Sequence, residues 1–449
     1  MLDLHALRPA RYPHLLESAA FGTAHGRYDI LLAFPGESLE LGANGCLSGR
    51  VTAPEAGFLT NLDAWWRRVA LPVASQDTAP LPFTGGWFLF LGYELAAEIE
   101  PVLRLPTGSL LPIAVATRIP AAVIRDHEQQ RTWLVAEPER ADLVRRIEAD
   151  IRMLVGRRPL ARRSGVLAGA LAEEPEPRYL DAVRRIKRYI RAGDVFQVNL
   201  SRRWCGRLQP GTLSSELYRR LRRANPGPFA GLATWGNRAV ISSSPERLVR
   251  VHNTMVETRP IAGTWPRQSN PARDRNNTRA LLAHPKERAE HIMLIDLERN
   301  DLGRVCRPGS IVVNELMTLE SYAHVHHIVS NVQGRLAPGV SPGEVIRAVF
   351  PGGTITGCPK VRCMEILAEL ERSPRGAYTG SMGYLNREGG LDLNILIRTM
   401  ERFGDALSFR AGGGIVVDSV PSRELAETRA KARGLILALE AAIDPRADE

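Results

Sequence analysis

Two pairs of glutamates stand three residues apart, Glu287 with Glu290 in "PKERAEH" and Glu424 with Glu427 in "ELAETRAK". A step of three along a helix returns to nearly the same face, so each pair presents two carboxylates together. Lys431 continues the second face. One reading is a solvated helix surface with Glu–Lys pairs. The other is chemical. Four carboxylates from two helices could meet at one Mg2+ ion, which takes oxygen ligands, keeps waters and can hold an anionic substrate. Whether the two helices meet is left open by the sequence.

Three further stretches carry residues suited to chemistry. "AGGGIVVDS" sets Gly412, Gly413 and Gly414 inside a strand-like run. Three glycines there mean either a bulge or bend, or bare backbone lying against a ligand with N–H groups aimed at a carboxylate. "PGGTITGCPK" has the glycines of a phosphate loop but not its GK[ST] ending, because Cys358 and Pro359 follow Gly357. That argues against a nucleotide site. A tight turn into a helix starting near Pro359 remains, or an anion site on backbone amides. "YAHVHHIVS" carries His324, His326 and His327. Strand alternation puts the first two on one face and His327 on the other. The spacing does not make a zinc set, which leaves His327 as a packed core residue or a lone acid/base.

Lysine is rare: only Lys187, Lys286, Lys360 and Lys431 occur among 59 basic residues. Guanidinium serves elsewhere, so a retained ammonium is a stronger candidate for a chemical task than usual.

The elements that must position these groups follow from patterning. At 449 residues the chain is long enough for two domains or one large composite core. Residues 1–155 alternate short apolar runs with turns ("YDILLAF", "GGWFLFLGYEL", "AAVIRD", "RTWLVAE") and read as β-rich, with a helix in "ADLVRRIEADIRMLVG". Residues 156–177 show no periodicity and read as a linker. "YLDAVRRIKRYIRAG" is a helix ending at Gly193, followed by a strand in "DVFQVNLSRRW". "AVISSSPERLVRV", "SIVVNELMTL" and "ALSFRAGGGIVV" are strand-like, "PKERAEHIMLIDLERNDLG" is a helix with proline in its first turn, and "SRELAETRAKARGLILALEAAI" is a long helix near the C-terminus. Strands and helices mix without regular βαβ alternation, so the class is α+β.

Hydrophobic content of 44% and charged content of 24% fit a soluble globular chain. No apolar run is long enough to span a bilayer, and no secretory signal precedes the first strand. Five cysteines without a CxxC pair suit reduced thiols in a cytoplasmic protein. The net charge of +10 comes from arginines interleaved with acids rather than from a basic block, which argues against a nucleic-acid partner.

Taken in order, "GDVFQVNLSRR", "SSPERLV", "TRPIAGT", "KERAEHIMLIDLERNDLGRV", "HVHHIVSNV", "PGGTITGCPKVRCMEI", "GAYTGSMGY", "NILIRTM", "AGGGIVVDS" and "ELAETRAKA" resemble the chorismate-utilising enzymes. The resemblance covers residues 178–440, the region expected to bind chorismate and carry the catalysis, and extends more weakly into residues 1–155. It implies two large antiparallel β-sheets packed together with flanking helices. It also implies roles. Glu290 and Glu427 would bind Mg2+, supported by Glu287 and Glu424. The substrate dicarboxylate would meet the metal, Tyr378, Arg398, Lys431 and the amides of Gly412, Gly413 and Gly414, with Gly263 and Thr264 lining the same pocket. Glu246 and His327 would be the acid/base groups and Thr354 a further contact at the reacting centre. Ser18 of "LLES", with Pro228 and Phe229, would form a tryptophan pocket.

Two subfamilies share these motifs, aminodeoxychorismate synthase component I and anthranilate synthase component I. Gln197 occupies the position where water-adding relatives place a basic lysine, which implies ammonia as nucleophile. Ammonia in turn implies a glutamine amidotransferase partner (component II), since this chain shows no glutaminase motif of its own. Ala262 of "PIAGT" resembles the anthranilate branch. "QVNLSRR", "NPGPFAG" and "AGGGIV" resemble the aminodeoxychorismate branch, and more positions lean that way.

Overall fold

The structure is a computed structural model that describes residues 1–19, 26–72, 81–154, 165–267, 270–321 and 325–440. Its framework is two antiparallel sheets of eleven strands each among the described residues. The first runs from the paired strands Gln197–Arg207 and Ala406–Ile415 through Thr399–Phe403, Arg238–Ser244 and Phe229–Trp235 to His14–Glu17, Tyr28–Ala33, Ala121–Asp126 and Arg131–Ala136. The second runs from Ile261–Pro266 and Val325–Arg335 through Met255–Thr258, Arg247–His252, Leu391–Asn394 and Ser381–Asn386 to Gly86–Leu91, Ala114–Ile119, Ser38–Leu41 and Leu47–Gly49. In both sheets the strands of the first 155 residues form one end and later strands the other.

Side-chain alternation explains why the sheets stack. In Gly86–Leu91, Phe88 and Phe90 face one way and meet Ile30, Leu32, Ile124 and Val240 of the other sheet. Trp87, Leu89 and Leu91 face the other way, against Leu59 and Leu62 of helix Gly57–Val69 and Ile346 and Val349 of helix Pro342–Val349. A strand buried on both faces reads as an unbroken apolar run, as "GWFLFL" does. The outer face of the first sheet is covered by Leu217 and Leu221 of helix Ser214–Ala224 and Leu435 and Leu439 of helix Pro421–Glu440. The expected α+β class, two packed sheets with flanking helices, is what the structure has.

One run departs from its local reading. "AVISSSPERLVRV" looks like one strand, yet Arg238–Ser244 belongs to the first sheet and Arg247–His252 to the second. Pro245 cannot donate to a ladder, and the chain crosses between the layers there. A second crossing joins Leu391–Asn394 to Thr399–Phe403. The crossings touch: Ile395 N–H donates to the Glu246 carbonyl at 3.0 Å, and Ser243 N–H to the Arg398 carbonyl at 3.2 Å.

Helix ends follow their signals. Glu176–Ala192 stops at Gly193, whose φ of 84° is the left-handed cap that glycine adopts without penalty. Pro285 opens helix Pro285–Gly303. Of the expected linker, residues 156–164 lie outside the described residues; Leu167 bridges to Leu208, Ala172–Glu173 pairs with the Gln197–Arg207 strand, and the helix begins at Glu176. No helix among the described residues is long and apolar enough to cross a membrane.

Candidate active site

The glycine run is neither bulge nor bend. Gly412, Gly413 and Gly414 pair in unbroken register with Ser201, Leu200 and Asn199. Crowding explains the residue type. A Cβ on Gly412 would lie 2.3 Å from the Leu200 carbonyl oxygen and 2.8 Å from the Tyr378 hydroxyl, and one on Gly414 would lie 2.2 Å from Gln197 Nε2. On Gly413 it would sit 3.3 Å from both Glu427 Oε1 and Lys431 Nζ. The bare ladder is therefore a floor crowded by Tyr378 and Gln197 on the face of Gly412 and Gly414, and by Glu427 and Lys431 on the face of Gly413.

Helix Pro421–Glu440 supplies the basic and acidic groups above that floor. Lys431 Nζ donates to the Gly412 carbonyl at 3.0 Å and pairs with Glu427 Oε1 at 2.7 Å. From the opposite side, helix Pro285–Gly303 brings Glu290, whose Oε1 accepts from Gln197 Nε2 at 3.0 Å. Glu287 stands one turn earlier, with its Oε2 3.0 Å from where a Gly263 Cβ would be. Gly263 has φ of 64° at a register shift between Ala262 and Thr264, a conformation that favours glycine. Thr264 pairs through its backbone with His327. Glu424 lies one turn before Glu427 on the same helix, and both face Tyr179 closely enough to push its hydroxyl further up after burial has raised it.

Glu246 sits on the first crossing between the sheets, 5% exposed, and its Oε1 accepts from the Thr354 hydroxyl at 2.6 Å. Burial raises this carboxyl to about 7, with Thr354, Arg398 and Lys431 opposing the rise. A carboxylic acid that is still half protonated near neutrality can give a proton to a leaving oxygen. Arg398 occupies the second crossing with φ of 54°. A non-glycine residue there stores strain that the surroundings must hold, and such strain gathers at functional sites. Burial pulls the Arg398 guanidinium down, opposed by Tyr378, Glu427 and Glu246 beside it. Tyr378 is pushed up to about 12 by burial and stays neutral. His327 is 6% exposed and pulled down to about 4, first by burial and then by Arg398, so it is uncharged at neutral pH.

Of the residues expected to act together, Tyr378, Glu427 and Lys431 lie directly against the glycine ladder, Glu290 reaches it through Gln197, and Glu246 and His327 feel the charges of Arg398 and Lys431, whereas Glu287 lies against Gly263. The four carboxylates do not close into a single ligand shell: among the described residues no three acidic, histidine or cysteine groups lie close enough to hold an ion. Glu290 is held by Gln197 and Glu427 by Lys431. His326 turns away from His327, to Ser321 at 2.7 Å and Asp274 at 2.9 Å, and His324 lies outside the described residues. Lys360 forms an ion pair with buried Asp301, and Lys187 donates to the Ser419 carbonyl, so both ammonium groups have structural partners.

Ser18, Pro228 and Phe229 lie apart from this cluster. They line a cavity of about 1040 Å3, with Met382, Asp392 and Asn394, where the early and late strands of both sheets meet. The Ser18 hydroxyl donates to the Pro228 carbonyl at 3.0 Å.

Pattern reading missed a buried charge cluster beneath the floor. Glu371 holds Arg375 through two bonds of 2.9 and 2.7 Å, and Arg375 donates onward to the carbonyls of Ile355 and Asn199. Arg375 also lies over the Tyr378 ring, 5.5 Å from its centroid. The node ties together the segments that carry Thr354, Gln197 and Tyr378. Its members come from three separate stretches, and only the i,i+4 spacing of Glu371 and Arg375 left a local trace.

Comparison with known proteins adds to this geometry. Residues 41–437 match the family described as chorismate binding enzyme. The chain is 42% identical to an anthranilate synthase component I-like protein of Synechocystis over 80% of this chain and 74% of that one. It is 38% identical to aminodeoxychorismate synthase component 1 of Bacillus subtilis over 97% of this chain and 93% of the relative. Among solved structures, anthranilate synthase component I from Streptococcus pneumoniae superposes with a TM-score of 0.80 at 30% identity, covering 92% of this chain and 93% of that one.

Proposed function

The chain belongs to the chorismate binding enzyme family, and on that premise we propose that it aminates chorismate to 4-amino-4-deoxychorismate, as aminodeoxychorismate synthase component I. The observation that carries amination is Gln197. Its amide is engaged by Glu290 at 3.0 Å and cannot take a proton, so the site offers no base there to activate water. Ammonia attacks without prior deprotonation.

The residues divide the work as follows. Arg398, Lys431 and the N–H groups of the glycine ladder hold the substrate carboxylates, which are the anions those cations and dipoles suit. Glu246, positioned by Thr354, protonates the departing hydroxyl so that it leaves as water. Neutral His327 is available as a second donor or acceptor at the ring. Glu290 and Glu427 fit a Mg2+ ion in donor chemistry, since that ion is held by one or two carboxylates and keeps its remaining waters. Bound there, Mg2+ would neutralise substrate charge beside the ring. Ala262 provides no amine, so this chain aminates directly, without a covalent lysine adduct.

Ammonia would come from glutamine through a separate amidotransferase subunit, and the product would feed folate synthesis. The cavity at Ser18, Pro228 and Phe229 supports the reading of an amino-acid site such as one for tryptophan. The second reading, anthranilate synthase component I, is favoured by one position: Ala262, buried and carrying no amine, stands where that branch also has alanine. One incubation separates the two. The pure chain receives chorismate, Mg2+ and ammonium salt. If 4-aminobenzoate forms only after aminodeoxychorismate lyase is added, the proposal stands; immediate anthranilate fluorescence overturns it.

A further inference from the structure

The turn that delivers Tyr378 to the glycine floor is gripped by two acids from distant parts of the chain. Three successive N–H groups of this turn, those of Arg375, Gly376 and Ala377, all go to carboxylates, the arrangement of a backbone nest for anions. Buried Glu94 accepts from the Arg375 N–H through Oε1 at 2.7 Å and from the Gly376 N–H through Oε2 at 3.1 Å. Glu401 Oε1 accepts from the Ala377 N–H. Gly376 has φ of 61°, and a Cβ there would lie 2.2 Å from Glu401 Oε1, so the grip requires glycine at that point.

Each acid is anchored on its own sheet. Glu94 follows strand Gly86–Leu91 of the second sheet, and Tyr93 before it donates its N–H to the Gly376 carbonyl at 2.8 Å. Glu401 lies on strand Thr399–Phe403 of the first sheet, just beyond Arg398. The Arg375 guanidinium lies over the Tyr93 ring as well as the Tyr378 ring, 4.9 and 5.5 Å from their centroids. Immediately after Tyr378, Thr379 is held at φ of 64° with its N–H on the Leu396 carbonyl at 2.8 Å. Tyr378 thus stands between a clamped turn and a strained residue, which leaves its hydroxyl little freedom to move. Burial raises both carboxyls, and Glu401 adds to the rise at Glu94. Two acids facing one turn cost stability, and an arrangement of that kind calls for a task.

Resting on the reading of Tyr378 as a substrate contact, we propose that Glu94 and Glu401 are positioning residues, which fix the turn so that the Tyr378 hydroxyl meets a carboxylate of the substrate. A Cβ on Gly412 would lie 2.8 Å from that hydroxyl, which marks where it reaches the floor. Neither acid need touch the substrate. Through Glu94 the β-rich first 155 residues complete a site whose other residues come from the catalytic half. The device acts on binding, so it serves either amination product.

The test is a double-mutant cycle in the full chain, with Mg2+ and saturating ammonium chloride, following chorismate consumption as chorismate is varied. Tyr378→Phe should raise the KM for chorismate about 10-fold or more, the scale of one hydrogen bond to a charged acceptor. Glu94→Ala and Glu401→Ala should each raise it about 5- to 10-fold with kcat within about two-fold, the pattern of lost binding rather than lost chemistry. Glu94→Gln keeps one acceptor and should recover most of that loss. In a Tyr378→Phe background either acid substitution should add less than about two-fold, because what it positions is already gone. Glu401→Ala keeps the test decisive if Glu94→Ala fails to fold. Effects that multiply in the double variants overturn the proposal, since the acids would then serve the fold or another contact. An unchanged KM in Tyr378→Phe is a different outcome: it rejects Tyr378 as a substrate contact, and the proposal with it.

Discussion

Replacing Glu246 by Gln should make the protein more stable and less active, with the stability gain confined to higher pH. Glu246 moves from 4.5 in the unfolded chain to about 7 on folding, with burial as the first cause. Between those values the folded protein keeps a proton that the unfolded chain has released. The unfolded state then binds fewer protons, so stability falls as pH rises, by about 1.4 kcal/mol per pH unit. The shift of roughly 2.5 units makes the accumulated loss about 3 kcal/mol at neutral pH, as an upper figure, and it is constant above that. A glutamine side chain can still accept from Thr354 but carries no such burden. Urea unfolding of parent and Glu246→Gln should therefore differ by under about 1 kcal/mol at pH 5 and by up to about 3 kcal/mol at pH 8, the variant being more stable. Loss of the general acid should lower turnover by about 10^2- to 10^4-fold at both pH values. If the stability difference is the same at pH 5 and pH 8, the carboxyl is not held protonated by folding, and its assignment as the acid fails with it.

The same ionisation governs the rate: kcat/KM at constant free ammonia should fall as pH rises past about 7. Thr354→Val removes a bond that favours the ionised form and should shift that descent upward by roughly 0.7 pH unit, corresponding to about 1 kcal/mol; an unmoved limb would contradict the pairing. Gly412→Ala presses a Cβ within 2.3 Å of backbone and should destabilise the fold by about 1–3 kcal/mol in urea titration. Gly414→Ala meets only the movable tip of Gln197 and should fold normally while turnover falls. Lys431→Met should raise the KM for chorismate about 10-fold or more, measured by substrate titration, because one charge-assisted contact to a carboxylate is lost. Chelation by EDTA should abolish turnover, and excess Mg2+ should restore it in the parent but poorly in Glu290→Gln.

Much of this site can be read along the chain because its parts are local. The three-residue spacing of Glu287 and Glu290 predicts a shared helix face, and Gly193 and Pro285 mark helix limits by backbone chemistry alone. Other features are set by distant pairing. The glycines at 412–414 look like a bulge until the opposing strand, some two hundred residues earlier, shows that backbone crowding excludes a side chain. Glu246 reads as one residue in a continuous strand, although it stands where the chain leaves one sheet for the other. The Glu371–Arg375 node depends on which amide or carbonyl lies opposite, and hydrophobic periodicity carries no record of that. The separation of the two carboxylate-bearing helices is equally unreadable along the chain, because equal spacing on two helices says nothing of how far apart the helix axes lie.

The paired crossings have a mechanical consequence. Glu246 and Arg398 each sit on a short tether between the layers, and the tethers are stitched to each other through Ser243 and Ile395. Sliding one layer over the other by a single residue would carry both tethers out of alignment while leaving every ladder within a layer intact. Under pressure or mild denaturant, catalytic competence should thus vanish before circular dichroism records any loss of strand, with turnover acting as a strain gauge for shear between the sheets.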